Sequence, residues 1–256
     1  MLWSMTVPLR RIAEFCDRLL RTRTAKDYDG ALNGLQVQNS GRVRRIAAAV
    51  DANPAVVERA VACGADLLLV HHGLFWGKPS PWTGARYRML KLLLAHDIAL
   101  YSSHLPLDSH PRLGNNARLC AELGLVRLKP FFQDNGAYWG FKSAARVPLQ
   151  ELARRLGAVI GERPVVLPFG PGLCRSVGVC SGGSGSRLRE AAAEGIDTLV
   201  AGEGPHWTHS LAQELGVNVL YGGHYATETL GVKALAAALS RKFRLSWEFL
   251  DQPSGL

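Results

Sequence analysis

Two hydrophobic runs in this chain pass through a tyrosine and two small residues into a histidine, with a carboxylate four positions further on. The first reads Tyr101-Ser102-Ser103-His104 and ends at Asp108; the second reads Tyr221-Gly222-Gly223-His224 and ends at Glu228. A histidine doublet, His71-His72, closes a third apolar run, Ala65-Asp66-Leu67-Leu68-Leu69-Val70. Together they offer four imidazoles and two carboxylates, enough for two metal ions. A nitrogen and oxygen donor set without thiolates suits Zn, Mn, Fe, Co or Ni. Two such ions a few ångströms apart acidify a water between them, so hydrolysis is the chemistry expected of the set. A single-metal site with spare histidines is the other arrangement these residues allow. A lone histidine is more often a satisfied structural residue; two adjacent ones after four apolar positions, with two companion motifs, are a stronger signal.

The elements that must deliver these groups are strands followed by helices. Consecutive strand side chains point to opposite faces, so His71 and His72 are expected to converge only where their strand has ended, with Gly73 permitting the turn. His224 and Glu228 stand at helical spacing and share a face if a helix begins near Tyr225. Pro106 lies between His104 and Asp108 and argues for an extended turn, with one of the two a ligand and the other orienting one. The bland alternatives are a solvated helix carboxylate for Glu228 and a turn or cap former for Asp108.

Arg45 to Val50 reads as a strand, Pro54 to Cys63 as a helix stopped at Gly64, and Leu67 to Val70 as the next strand. The order recurs. Arg175 falls on Arg44, Gly195 on Gly64 and Asp197 on Asp66 at an offset of 131, while His224 and Glu228 fall on His104 and Asp108 at 120. The difference, eleven residues, is assigned to the Trp-, Pro- and Gly-rich stretch from Phe75 to Arg88. The expected fold is α/β, with two related lobes from an internal duplication: residues 1–128, a connector or small subdomain over 129–171 containing a helical piece from Leu149 to Leu156, and residues 172–256. Ligands of such sheets gather outside the carboxyl ends of the strands, where the doublet and both motifs lie. Ser181-Gly182-Gly183-Ser184-Gly185-Ser186 lacks the Gly-Lys-Ser/Thr ending of a Walker loop and reads as glycines for close strand–helix packing. Glu203 is the duplicate of His72 and a candidate to line the pocket, followed by His206 and His209; His96 and His110 have no companions.

With 256 residues, 47% of them hydrophobic, the chain can bury a large core. Thirty basic against twenty-one acidic residues give a formal charge of +9, which favours phosphate-bearing partners, small molecules first and nucleic acid second. No long basic run accompanies that charge. Five scattered cysteines without a C-x-x-C pair point to a reducing cytoplasm rather than a disulfide framework. Charges run through residues 1–20, so no signal-peptide core is expected, and no apolar stretch reaches membrane-spanning length.

Asn33-Gly34-Leu35-Gln36-Val37, His71-His72-Gly73-Leu74-Phe75-Trp76, His104-Leu105-Pro106-Leu107-Asp108, Leu113-Gly114-Asn115-Asn116, Gly202-Glu203 and Gly223-His224-Tyr225-Ala226-Thr227-Glu228, in that order, resemble the dinuclear metal-centre hexameric proteins, known as GTP cyclohydrolase I type 2 homologues. The resemblance covers nearly the whole chain and is to the short form, without the large inserted domain. It implies six subunits in a toroid and two divalent ions per subunit in a cleft between the lobes. His72 and Asp108 would bind one ion, His71 and His224 the other, and Glu228 would bridge them, with His104 a neighbouring group that orients a ligand or shuttles a proton. Imidazole-ring opening of GTP by activated water is the activity that name implies, although fold-level likeness does not establish a reaction.

Overall fold

The computed structural model describes residues 6–78, 80–134 and 137–255. In chain order the elements are β1 (Val7–Pro8), α1 (Leu9–Leu20), β2 (Gly34–Val37), β3 (Arg42–Val43), β4 (Arg45–Asp51), α2 (Pro54–Ala62), β5 (Leu67–His72), α3 (Gly84–Ala95), β6 (Ala99–Ser102) and α4 (Leu105–Asp108). There follow α5 (Asn115–Glu122), β7 (Lys129–Asp134), β8 (Ala137–Pro148), α6 (Leu149–Ile160), β9 (Val165–Pro168), β10 (Leu173–Cys180), α7 (Leu188–Ala193), β11 (Thr198–Ala201), α8 (Thr208–Leu215), β12 (Asn218–Tyr221), α9 (His224–Phe243) and β13 (Ser246–Phe249). The chain folds as two compact α/β units, residues 1–107 with 231–252, and residues 108–230 with 253–256.

The first unit is built on a five-stranded sheet in the order β13-β4-β5-β6-β2, parallel except for β2. Its central strands are apolar on both faces, as a sheet covered on both sides requires, and Ile46 to Ala49 and Leu67 to Val70 are fully buried. Helix α2 starts where the Asn53 side chain accepts the Val56 N–H and Pro54 occupies the first turn, where its missing N–H costs nothing. The second unit has a six-stranded sheet, β7-β8-β10-β11-β12-β9, with a parallel centre β10-β11-β12 and antiparallel flanks.

These units divide the chain differently from the expected cuts at 128 and 171. Residues 129–171 are no separate subdomain: β7, β8 and β9 are strands of the second sheet, and α6 packs its Leu152 and Leu156 into that unit's core. The C-terminal segment returns to the first unit because β13 pairs in parallel with β4, Trp247 opposite Ile46. Helix α9 therefore starts in one unit and finishes in the other.

The duplication is visible in matching hydrogen bonds. Asp66 Oδ2 accepts the backbone N–H groups of Arg44 and Arg45 at 2.7 and 3.0 Å; Asp197 Oδ2 accepts those of Arg175 and Ser176 at 2.8 and 2.9 Å. The offset of 131 holds through the ladders, since Leu67 and Thr198 open β5 and β11. It then becomes 119, because Leu67 pairs with Ala99 as Thr198 pairs with Asn218. The motif-based offset of 120 is thus one residue out, and the insertion is twelve residues rather than eleven. A slip of one reverses which face a strand side chain takes. Tyr101 is buried and donates to Asp17 at 2.8 Å, whereas Tyr221 occupies the register of Ser102 and meets Thr208 at 2.7 Å. Counting on, His224 corresponds to Leu105 and His104 to Gly223.

Candidate metal centre

In the first unit β5 runs through the histidine doublet instead of ending before it, and His72 still pairs with Asp51 of β4. The rings nevertheless lie together, with centroids 4.7 Å apart, and the His104 ring is 4.9 Å from His71 and 5.4 Å from His72. One ring nitrogen from each of the three falls within 4.8 Å of the others, so this unit alone could hold an ion on three imidazoles. His104 stands just past β6, where Pro106 does not force an extended turn. The proline occupies the first turn of α4, where the residue is tolerated, and Leu107 N–H closes that turn on the His104 carbonyl at 2.8 Å.

Each imidazole is oriented through Nδ1. His71 Nδ1 lies 2.8 Å from the Ser103 carbonyl, an acceptor only, so it must carry the proton. His72 Nδ1 donates to Asp51 at 2.7 Å, and His104 Nδ1 to Asp27 at 2.8 Å. A histidine whose Nδ1–H is so engaged presents the Nε2 lone pair, the arrangement of metal-ligating imidazoles. Asp27 is itself built in: Asn33 Nδ2 and the Tyr28 and Leu105 N–H groups donate to it. Burial raises the Asp27 carboxyl, but the hydrogen bond and charge of His104, together with Asn33 and Tyr28, outweigh it and hold the group below its ordinary value.

The second unit gathers Asp108, His224 and Glu228 around one tight turn, Ser181-Gly182. Asp108 is buried, and its Oδ1 accepts Asn115 Nδ2 at 2.8 Å and Ser181 Oγ at 3.4 Å. Asn116 braces the same turn by accepting the Ser181 N–H at 2.7 Å while donating to the Trp139 carbonyl. Helix α9 begins at His224 itself, so His224 and buried Glu228 share its first turn, with Nε2 and Oε2 3.2 Å apart. Glu203 accepts from His224 Nδ1 at 2.8 Å, making it an orienting group rather than a mere lining residue. The hydrogen bond to Glu228 pushes the His224 imidazole up to about 9 against the opposing effect of burial, and the charge of Glu228 and the contact with Glu203 add to the rise.

Of the glycines read as packing residues, Gly182 and Gly185 make close approaches and Gly183 does not. A Cβ at Gly182, whose φ is +61°, would run into Glu228 Oε1 and lie 3.2 Å from His224 Nε2. One at Gly202 would lie 2.7 Å from the Gly182 carbonyl and 2.8 Å from Thr227 Oγ1. The sequence reading missed Asp27 and Asp51 as orienting groups. Asp51 carries a weak signal as the polar end of an apolar strand; Asp27 lies in an irregular stretch with no periodicity, and only the fold brings it to His104.

The chain belongs to the Duf34/NIF3 (NGG1p interacting factor 3) family, whose model matches residues 7–253. It is similar to a protein of Deinococcus radiodurans named GTP cyclohydrolase 1 type 2 homolog, 44% identical over 89% of this chain and 88% of that one. A protein of the same name from Pyrococcus horikoshii is 40% identical, covering 96% and 98% of the two chains. Among solved structures, TTHA1606 from Thermus thermophilus superposes with a TM-score of 0.90 at 42% identity, over 98% of this chain and all of that one. Protein ybgI, described as of unknown function, gives 0.90 at 36% identity, with the same coverage.

Proposed function

We propose that this protein is a metal-dependent hydrolase acting on a nucleotide or another phosphate-bearing small molecule. Two divalent ions would be held by His72 with Asp108, by His71 with His224, and by Glu228 between them. The observation that supports this most directly is the Nδ1 anchoring: every candidate imidazole is committed through that nitrogen to a carboxylate or a carbonyl. The donor set also fits, with His71, Asp108 and Glu228 buried, His72 and His224 half-buried, and no thiolate among them. When bound, the ions would supply Lewis acidity and an acidified water. His104, held by Asp27, exchanges a proton at Nε2. The name carried by the Deinococcus and Pyrococcus relatives supports a nucleotide as the first substrate to try. All five cysteines are free thiols, in keeping with a reducing cytoplasm, and among the described residues no helix is long and apolar enough to cross a membrane.

The test is turnover: release of formate from GTP, with a panel of phosphoesters beside it, for the parent and His71→Ala. Activity in the parent that is lost in the variant supports the reading; equal activity in both sinks it. A second reading, a hexameric ring using metal for structure and binding nucleic acid or a protein partner, is favoured by the charge of +9 and by the interacting-factor name of the family. Sedimentation tests the hexamer. Binding to duplex DNA that weakens steeply with salt would support its nucleic-acid form, and no binding at low salt would remove it.

A further inference from the structure

We propose that Tyr28 and Trp76 form a subsite for a planar heteroaromatic ring, specifically a nucleobase, beside the three imidazoles of the first unit; it rests on the hydrolase reading only in placing the substrate's reacting part at that cluster. Both residues are large aromatics left open to solvent, 54% and 40% exposed, in a unit whose other aromatics can be buried as deeply as Tyr101. Both sit against His104: the Trp76 ring lies edge-on to the imidazole with centroids 4.8 Å apart, and the Tyr28 ring is 5.7 Å away. Trp76 also meets His72 at 5.4 Å.

Neither side chain belongs to a regular element. Tyr28 lies on the loop that delivers Asp27 and Asn33 to His104, and Trp76 on the loop leaving the doublet. The two loops approach closely, since a Cβ at Gly30, with φ +83°, would run into the Gly77 carbonyl. The indole is fixed as well, its Nε1–H donating to the Gly73 carbonyl at 3.0 Å. A rigid, partly exposed aromatic loses little entropy when a second ring stacks on it, and stacking tolerates any base because every base has a π-face. The Trp76 loop also carries an exposed lysine, Lys78, two residues from its aromatic, which favours an anionic group on the Trp76 side, whereas on the Tyr28 loop Lys26 is offset by Asp27 and Asp29.

The test is equilibrium binding to the metal-loaded protein of GMP, AMP and ribose 5-phosphate, which lacks the ring. Both nucleotides should bind at least about tenfold more tightly than ribose 5-phosphate. Trp76→Ala should weaken both by about tenfold or more and leave ribose 5-phosphate unchanged, and Trp76→Phe should restore most of the loss. Nucleotides that bind no better than ribose 5-phosphate, or an affinity unmoved by Trp76→Ala, would overturn the subsite. Metal per chain is measured alongside: nucleotide binding that depends on Trp76 in a protein without metal keeps the subsite and sinks the hydrolase.

Discussion

The two units share a backbone plan and differ in what they place on it. In the first, positions 51, 71, 72 and 104 carry Asp, His, His and His; the corresponding positions 182, 202, 203 and 223 of the second carry Gly, Gly, Glu and Gly. The first unit fills its strand ends with imidazoles and the acids that orient them. The second strips its strand ends so that the first turn of α9 can bring His224 and Glu228 into the space, which a Cβ at Gly182 would close. Retained parts are those that hold the fold, Asp66 and Asp197 tying a strand to the turn before the next. One scaffold therefore carries two unlike sets of candidate ligands, imidazole-rich in one unit and carboxylate-rich in the other.

That contrast can be broken most sharply at Gly182. Gly182→Ala puts a methyl group on a left-handed residue and against Glu228, so we expect metal bound through Glu228 and His224 to be lost, with destabilisation of about 1–3 kcal/mol; metal content and urea unfolding read the two effects. Full metal content in that variant would mean Glu228 is no ligand. Next in size, Asp51→Ala and Glu203→Ala each release one imidazole assigned to an ion, and metal affinity should fall about 10–100-fold in a chelator competition, whereas Asp27→Ala, which frees only His104, should leave it little changed. Replacing Asp66 or Asp197 by alanine leaves two backbone N–H groups without their acceptor and should cost about 1–3 kcal/mol in either unit, with metal affinity little changed. Very unequal losses in urea unfolding would contradict the equivalence of the two scaffolds.

The smallest effect is one of pH. The folded value of His224, about 9, lies above the ordinary histidine value, so its charged form stabilises the metal-free chain fully below about 6.5, and that contribution fades as pH rises through 9. A metal ion must displace the same proton. Affinity should therefore tighten as pH rises toward 9, with proton release on loading measurable in weak buffer, and Glu203→Gln should shift that window downward. Affinity that does not vary between about pH 6 and 9 would exclude His224 from the ligands.

Much of this was readable in the residues. The apolar runs, the Gly-x-Asp turns at 64–66 and 195–197 and the histidine-bearing strand ends define the sheets, because burial on both faces leaves a strand no polar positions to confuse the pattern. The sheet allegiance of 129–171 was not readable, since antiparallel flanking strands carry only weak local signals and their partners lie far along the chain. The return of β13 to β4 escaped for the same reason. At the site, the candidate ligands stand out because histidine is rare in apolar runs. The orienting acids do not: Asp27 is one more carboxylate in a loop until the fold sets it 2.8 Å from His104. Pro106 misled because proline both ends extended segments and opens helices, and the choice was settled by a helical turn that begins at Leu105.

Plasma mass spectrometry of the purified protein and of Glu228→Ala tests the central claim most directly. Two divalent ions per chain in the parent, falling to one or none in the variant, is the result expected of a shared dinuclear set. A parent without metal, or a variant that keeps both ions, would contradict it.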